Sequence, residues 1–408
     1  MFGKKPYEPL LNILNKTTYQ DLSNFPVGEY KRKPLESKYQ YKSNTLAFVE
    51  DDTYDFVISM LLQSCMRKDS LILIDTENIF YKGTRRFFRD RNYPVHLLSY
   101  DQSKIESDTW SLWSQTSTAE DILVTSKEII DAVYLYLGLS FNSERDYNIL
   151  IYVFSSLLSY AVTTSMLFHN KFVAISSFLK ENDFSSIDEV LSDLNDTTEY
   201  LWKEMEETEE EYLQAIEQSL AILELLQDPS NNNMVGQDSY EVLTPSLQKS
   251  ATLLEYSDNS QHNAIISILV NVILTENLSY HESVKGRAQG INVVINKIEN
   301  ITDVGFMQSL IALSKKYKVN IFASCSNAEL LKNNFPELFE QELASSFPFV
   351  LVQQDKKDVM DNIAELIPYL ADSLYDFDIE EVLIADRKSI VIDRFDTTKH
   401  ELYDLFVS

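Results

Sequence analysis

Residues 291–299 (INVVINKIE) read as a buried strand whose end carries Asn296 and Lys297. In an open α/β sheet, ligands and metal ions are met just beyond the carboxyl ends of the strands, so the side chains there decide the chemistry. A pair of acids at such a place would hold a divalent cation and take a proton from water. An amide is a weak, neutral ligand for a hard cation, and an ammonium has no lone pair with which to accept a proton. A second place of interest lies between a short apolar run ending at Val49 and a helix beginning near Tyr54, where the residues are Glu50, Asp51, Asp52 and Thr53. A phosphate cradle there needs glycines that let backbone N–H groups converge on the anion, followed by a Lys and a Ser or Thr. The chain has 8 glycines, none of them followed by Lys-Ser or Lys-Thr. The three carboxylates would instead repel a triphosphate and suit the positive end of a helix dipole.

Other chemistry-bearing residues are scattered. Asp75 ends the run Ser70-Leu-Ile-Leu-Ile, a position from which it holds a metal or ligand or else caps the following turn, with the cap preferred. The five histidines (His96, His169, His262, His281, His400) do not cluster or show ligand spacing. No Gly-x-Ser-x-Gly and no local Cys/His arrangement supports nucleophilic catalysis. Cys65 and Cys325 lie far apart in apolar surroundings, which suits buried thiols in a reducing compartment. One positive island, Lys82, Arg85, Arg86, Arg89 and Arg91 with Phe87 and Phe88, reads either as the solvated face of an amphipathic helix or as an interface.

The elements that would position these residues alternate. The runs 45–49, 70–75 and 94–99, with helices near 54–66 and 83–90 between them, give the strand-helix-strand order of a parallel, doubly wound sheet. The pattern resumes at 290–295, 319–323, 347–352 and 389–393, with helices expected at 305–318 and 327–333. Between them, residues 120–275 contain little that looks like strand, and Tyr212, Leu213, Ile216, Leu220, Leu223 and Leu226 recur at helical spacing. The expected organisation is an N-terminal extended arm over 1–44 with one short helix, an α/β domain from 45–125 and 276–408, and a helical region over 126–275 that includes an all-α insertion at about 170–260.

At 408 residues the chain exceeds what one hydrophobic core usually serves. With 63 acids against 35 Lys and Arg, its formal charge is −28, a balance that disfavours direct nucleic-acid binding. The start of the chain has charge but no apolar run behind it, so a cytoplasmic protein is expected. Residues 149–168 form 20 uncharged positions, long enough for a membrane span, but with five hydroxyl residues mid-run they read as a buried core helix.

Several segments together resemble the TraG/TraD-like coupling proteins of type IV secretion and conjugation. Thr45 to Leu62 resembles that family's first strand, phosphate loop and helix, with the Gly-rich Lys-Thr loop shortened and acidic. Asp75-Thr-Glu-Asn-Ile-Phe-Tyr81 is similar to its Asp-Pro-Lys-Gly-Glu-Leu-Tyr segment, Tyr93-Pro-Val-His-Leu-Leu continues in the same way, and Ser107-Asp-Thr-Trp110 is similar to Ser-Asp-Arg-Trp. Val293 to Ile301 resembles the strand end Asp-Glu-Phe-Ala-Asn-Ile, keeping Asn300 and Ile301 and replacing both acids by Asn296 and Lys297. Ile321 to Leu330 resembles the strand whose Gln senses nucleotide, with Cys325 near that Gln, and the Tyr403 region is similar to the closing strand.

The resemblance implies a RecA-like, doubly wound, mainly parallel sheet with an inserted all-α domain, in a family of hexameric ATPases whose insertion meets substrates. Because the phosphate loop, the acid pair and the Gln position are all altered, it further implies a pseudo-ATPase with no bound cofactor and no catalytic or metal-binding residues. The degenerate pocket positions are Asp51, Asp52, Thr53, Asp75, Asn296, Lys297 and Cys325. The expected role is to dock cargo or a relaxase complex, or an active coupling ATPase, at the inner face of a membrane reached through partners. The acidic segment 180–228, including Glu206, Glu207, Glu209, Glu210 and Glu211, is the preferred interaction surface beside Arg85, Arg86 and Arg89. Two rival readings remain open: an ATPase using Asp75 and Glu299 as metal ligands, and a DNA-binding module using Arg85, Arg86, Arg89 and Arg91.

Overall fold

The structure is a computed structural model. It describes residues 14–30, 32–38, 44–49, 54–99, 108, 118–136, 139–164, 171–204, 208–226, 240–241, 243–255, 270, 273–274, 276–277, 280–281, 283–284, 287–301, 307, 310, 318–335, 346–347, 349–353, 357–366, 381–385, 389–393 and 395–407. The chain divides into two compact units, one of residues 1–97, 243–256 and 274–408, the other of residues 98–242 and 257–273.

The first unit is built on a mainly parallel sheet. Its centre is β4 (Thr45–Val49), β5 (Ser70–Asp75), β7 (Ala251–Glu255), β8 (Ile291–Asn296), β9 (Val319–Cys325) and β10 (Phe349–Gln353), in the spatial order β10-β4-β9-β8-β5-β7, each parallel to its neighbour. The strand β6 (Val95–Leu98) adjoins β7 at one edge. At the other, β11 (Glu381–Ala385) and β12 (Ser389–Asp393) form an antiparallel extension, followed by β2 (Pro26–Tyr30), β3 (Lys33–Ser37) and β1 (Leu14–Lys16). Every residue of β4, β5, β7, β8 and β9 is buried, as a parallel sheet covered on both faces requires. Helix α1 (Tyr54–Met66) packs on β5, β8 and β9, and its ten residues from Phe56 to Cys65 are all buried. Helix α2 (Tyr81–Arg89) puts Thr84, Phe87 and Phe88 into the core and leaves its basic residues outside. Shorter helices follow later in the chain: α9 (Thr244–Leu247) beside β5, and α10 (Ala328–Asn334) packed against α11 (Lys357–Leu366).

Three sequence expectations are corrected in this unit. No helix occurs among the described residues between 14 and 38; the segment forms β1, β2 and β3, because Pro26 and Pro34 fix extended backbone and Val27 and Leu35 have an apolar sheet edge to cover. Residues 251–255 of the supposedly helical region are a central strand, β7: five apolar-rich residues with no alternation look alike as buried strand or helix. The Tyr403 region is helix α12 (Tyr403–Val407) rather than a closing strand, since Leu402 and Phe406, four residues apart, both pack on the core. Of the helix expected at 305–318, only residues 307, 310 and 318 are described.

The second unit is helical. It contains α3 (Ala119–Tyr136), α4 (Glu144–Thr164), α5 (Lys171–Glu181), α6 (Phe184–Asp193), α7 (Asp196–Lys203) and α8 (Glu209–Leu226). Helix α4 is apolar and long enough to cross a membrane, and it is the one such helix among the described residues. Here α3, α5, α6, α7 and α8 all pack on it and bury eleven of its side chains, the core role expected for the uncharged run. Residues 165–168 of that run lie outside the described residues. Helices α6 and α7 begin at Asp183 and Asn195, whose side chains accept the N–H groups of Ser186 and Thr198.

Candidate functional site

In the β5–β8 pair, Asp75 lies directly opposite Asn296, so both side chains leave the carboxyl edge of the sheet together. Asp75 is buried, at 3% exposure, which pushes its carboxyl above the usual range. The backbone N–H of Phe80 opposes that shift by donating to Oδ2 at 2.7 Å, and the Asn296 amide does so by donating to Oδ1 at 3.4 Å. Asp75 therefore caps the turn that leads into α2. The next residue, Thr76, donates its hydroxyl to the Asn296 carbonyl at 2.7 Å and accepts from the Asn300 amide at 3.2 Å. Together these bonds tie the ends of the two strands.

Lys297 leaves β8 in a left-handed conformation, at φ 53° and ψ 70°, which costs a non-glycine residue and sets the direction of its side chain. Its N–H donates to Ser324 Oγ at 3.0 Å, and its ammonium donates to Glu77 Oε1 at 2.6 Å in an ion pair between a half-buried lysine and an exposed glutamate. Glu299, at 2% exposure, turns away from this edge. Its Oε1 accepts from Ser326 N–H at 2.7 Å, Ser326 Oγ at 2.6 Å and Asn327 N–H at 3.0 Å, just ahead of α10, which Asn327 caps. One carboxylate thus serves the start of a helix, where the dipole favours it. The Cys325 thiol is buried, and burial and then Glu299 hold it well above its usual range, which favours the protonated form.

The acids proposed as metal ligands are separately engaged: Asp75 on the α2 turn and Glu299 on the start of α10. Among the described residues no three His, Cys, Asp or Glu side chains group so as to hold a metal ion. Glu50, Asp51, Asp52 and Thr53 lie outside the described residues. They are bracketed by Val49 and by Tyr54, whose ring stacks on Phe80 with centroids 5.5 Å apart and planes 24° apart. Glu77, Ser324, Ser326 and the Tyr54–Phe80 stack were not singled out by the sequence; Glu77 lies 220 residues from the lysine it pairs with.

The basic island sits on and just beyond α2. Arg91 lays its guanidinium over the Phe87 ring, 3.8 Å from its centroid, and donates to the Phe87 carbonyl. Arg85 donates to the Tyr81 hydroxyl at 2.8 Å. Lys82, Arg86 and Arg89 are exposed. In the acidic segment, Glu206 and Glu207 lie outside the described residues, and Glu209 and Glu210 are exposed in the first turn of α8. Glu211 acts locally instead. Its Oε2 accepts from the N–H and hydroxyl of Thr208, while Thr208 Oγ1 accepts from its N–H, a capping box joined by an ion pair to Arg145 at 3.1 Å.

No known family profile and no curated protein matches the chain. Several solved structures do. The unbound monoclinic form of the bacterial conjugative coupling protein TrwB is similar over 94% of this chain and 93% of its own, at 11% identity and a TM-score of 0.61. TrwB in complex with ADP and Mg2+ is similar over 87% and 85%, at 10% identity and a TM-score of 0.58. VirB4 of Thermoanaerobacter pseudethanolicus is similar over 92% and 97%, at 14% identity and a TM-score of 0.55. At these identities the likeness is one of architecture: a doubly wound parallel sheet with a helical unit set into its chain. By fold, this chain stands with the TrwB coupling protein and VirB4.

Proposed function

We propose that the chain is a coupling-protein-like, nucleotide-independent component of a type IV secretion or conjugation machine, a pseudo-ATPase that docks cargo, a relaxase complex or an active coupling ATPase. The fold likeness to TrwB and VirB4 supports the setting. The observation that carries the loss of chemistry is the Lys297–Glu77 ion pair. It puts a cation of the protein's own on the strand end where an acid would have to hold a metal ion, and it neutralises a neighbouring carboxylate. Asp75 Oδ2 and Glu299 Oε1 accept hydrogen bonds from backbone N–H groups at two different helix starts, so the two carboxylates are oriented by separate elements rather than toward a shared ion. In an active enzyme of phosphoryl transfer the metal and its acids supply much of the transition-state stabilisation, so their replacement weighs against turnover. The docking surface we assign is the acidic face of α6, α7 and α8, and the working location is the cytoplasmic face of the membrane, reached through partners.

Titration of a fluorescent ATP analogue with magnesium tests the first half. We expect no saturable binding; micromolar affinity abolished by Asp75→Ala would overturn the pseudo-ATPase reading in favour of an enzyme using atypical ligands. Affinity purification from the native host tests the second half, with an intact coupling ATPase or a relaxase expected to co-purify. Recovery of neither would sink the docking role and leave the first half standing.

A further inference from the structure

In a chain with 63 acids against 35 Lys and Arg, an exposed cation has carboxylates in excess to pair with. Three on α2 pair with none of them. Lys82, Arg86 and Arg89 recur at intervals of four and three residues and so share one face of the helix. All three are exposed, and none makes an ion pair or a side-chain hydrogen bond among the described residues. Arg85, off that face, is taken up by the Tyr81 hydroxyl instead. Two large aliphatic side chains are exposed on the same packed elements: Ile79, three residues before Lys82, at 54%, and Leu405 of α12 at 53%. The helix that carries the stripe is firmly held. Thr84, Phe87 and Phe88 enter the core, and Arg91 covers the Phe87 ring, so a partner docking here has little of this chain to order.

We propose that this stripe docks a short acidic segment of a partner protein, one with carboxylates at helical spacing beside an aliphatic side chain. Clusters of Arg read acidic motifs through charge-assisted hydrogen bonds, and Ile79 offers the apolar contact. The site is opposite in charge to the face of α6, α7 and α8, and it stands whether or not that face holds cargo. The extent of the stripe selects the partner. Helix α2 is nine residues long, roughly 14 Å, and exposed acids border it: Glu77 and Asp90 at its two ends and Asp404 on α12. A plane of anionic lipid or a DNA duplex carries its charge past those borders and meets like charge there. A single acidic segment ends where the cations end. The formal charge of −28 does not forbid the contact, because at about 0.1 M salt the screening length is about 10 Å, and a ligand lying on the stripe feels its cations before acids farther off.

Fluorescence anisotropy with the full chain reads the contact, using a labelled helical peptide of about 16 residues whose glutamates lie three and four apart beside one leucine. In about 0.1 M salt we expect saturable binding that weakens at least about tenfold in about 0.5 M salt. The glutamine counterpart of the peptide should not bind. Lys82→Glu/Arg86→Glu/Arg89→Glu should abolish binding, and Arg86→Gln/Arg89→Gln should weaken it about tenfold. Both variants should keep the parent's urea midpoint, since the replaced side chains are exposed and unpaired. Ile79→Ser should weaken binding about threefold at both salt concentrations, because an apolar contact is not screened. No binding in low salt, binding that the charge reversal leaves intact, or indifference to Ile79→Ser would each overturn the proposal. So would tighter retention, lost on the same reversal, on duplex DNA or on vesicles of equal parts phosphatidylcholine and phosphatidylglycerol.

Discussion

His400 shows how one buried side chain records the pH at which this fold holds. Its Nδ1 accepts the Leu402 N–H at 3.1 Å, so Nε2 carries the proton and donates to Gln63 Oε1 on α1, also at 3.1 Å. Burial lowers its pKa from 6.5 to about 4. Above the ordinary value neither folded nor unfolded chain binds this proton; between there and about 4 only the unfolded chain does. Stability is therefore lost as pH falls through that window, by up to roughly 1.4 kcal/mol per unit. His400→Gln should flatten the dependence, read as the difference in urea midpoints between variant and parent from pH 7 to 4. Glu299 makes a second residue-scale prediction: Glu299→Ala leaves the Ser326 and Asn327 N–H groups without their acceptor and should cost about 2–3 kcal/mol in urea unfolding. Asp75 was legible as a cap because a carboxylate closing an apolar strand before a turn has few other roles open to it. That a lysine follows the β8 strand end is plain in the sequence, but the ammonium's partner is not, because Glu77 comes beside it only through the parallel pairing of β5 with β8.

Elements depend on what packs beside them, and α2 is the clearest case. Gly83 sits inside that helix with the Phe406 ring of α12 against it, and a Cβ added there would lie 3.4 Å and 3.5 Å from two of its ring carbons, an ordinary contact. Gly83→Ala should therefore keep α12 in place and gain about 0.5–1 kcal/mol of stability from helix propensity. Gly83→Leu has no room and should release α12, seen as faster amide exchange over residues 403–407. At the start of α8, Thr208→Ala removes half of the capping box and should cost about 1 kcal/mol, with exchange rising in the first turn of that helix. Long elements with a clear period were legible: α1, α8, β5 and β8 fall within a few residues of where the pattern put them. The strands β7 and β11 escaped, since each is five residues long and is fixed as strand by its neighbours, β5 in one case and β10 with β12 in the other. The arm became part of the sheet for the same reason: pairing partners are tertiary facts.

At the scale of the whole molecule, two units with separate cores raise the question of whether they unfold together. The sheet unit closes on α1 and the central strands, and the helical unit closes on α4. All three tryptophans, at positions 110, 113 and 202, fall in the stretch of chain assigned to the helical unit. Trp202 is 2% exposed and donates its Nε1–H to Asp188 at 2.8 Å, so its fluorescence follows the loss of that core. Strand content, read by circular dichroism, follows the other. A unit with its own buried core is a candidate for its own cooperative transition. We therefore expect the urea midpoint read by strand dichroism to drop in Glu299→Ala, a change confined to the sheet unit, while the midpoint read by tryptophan emission stays within error of the parent. Equal shifts by both probes would show that the two units fold as one, and the helical unit would then be no independent docking module.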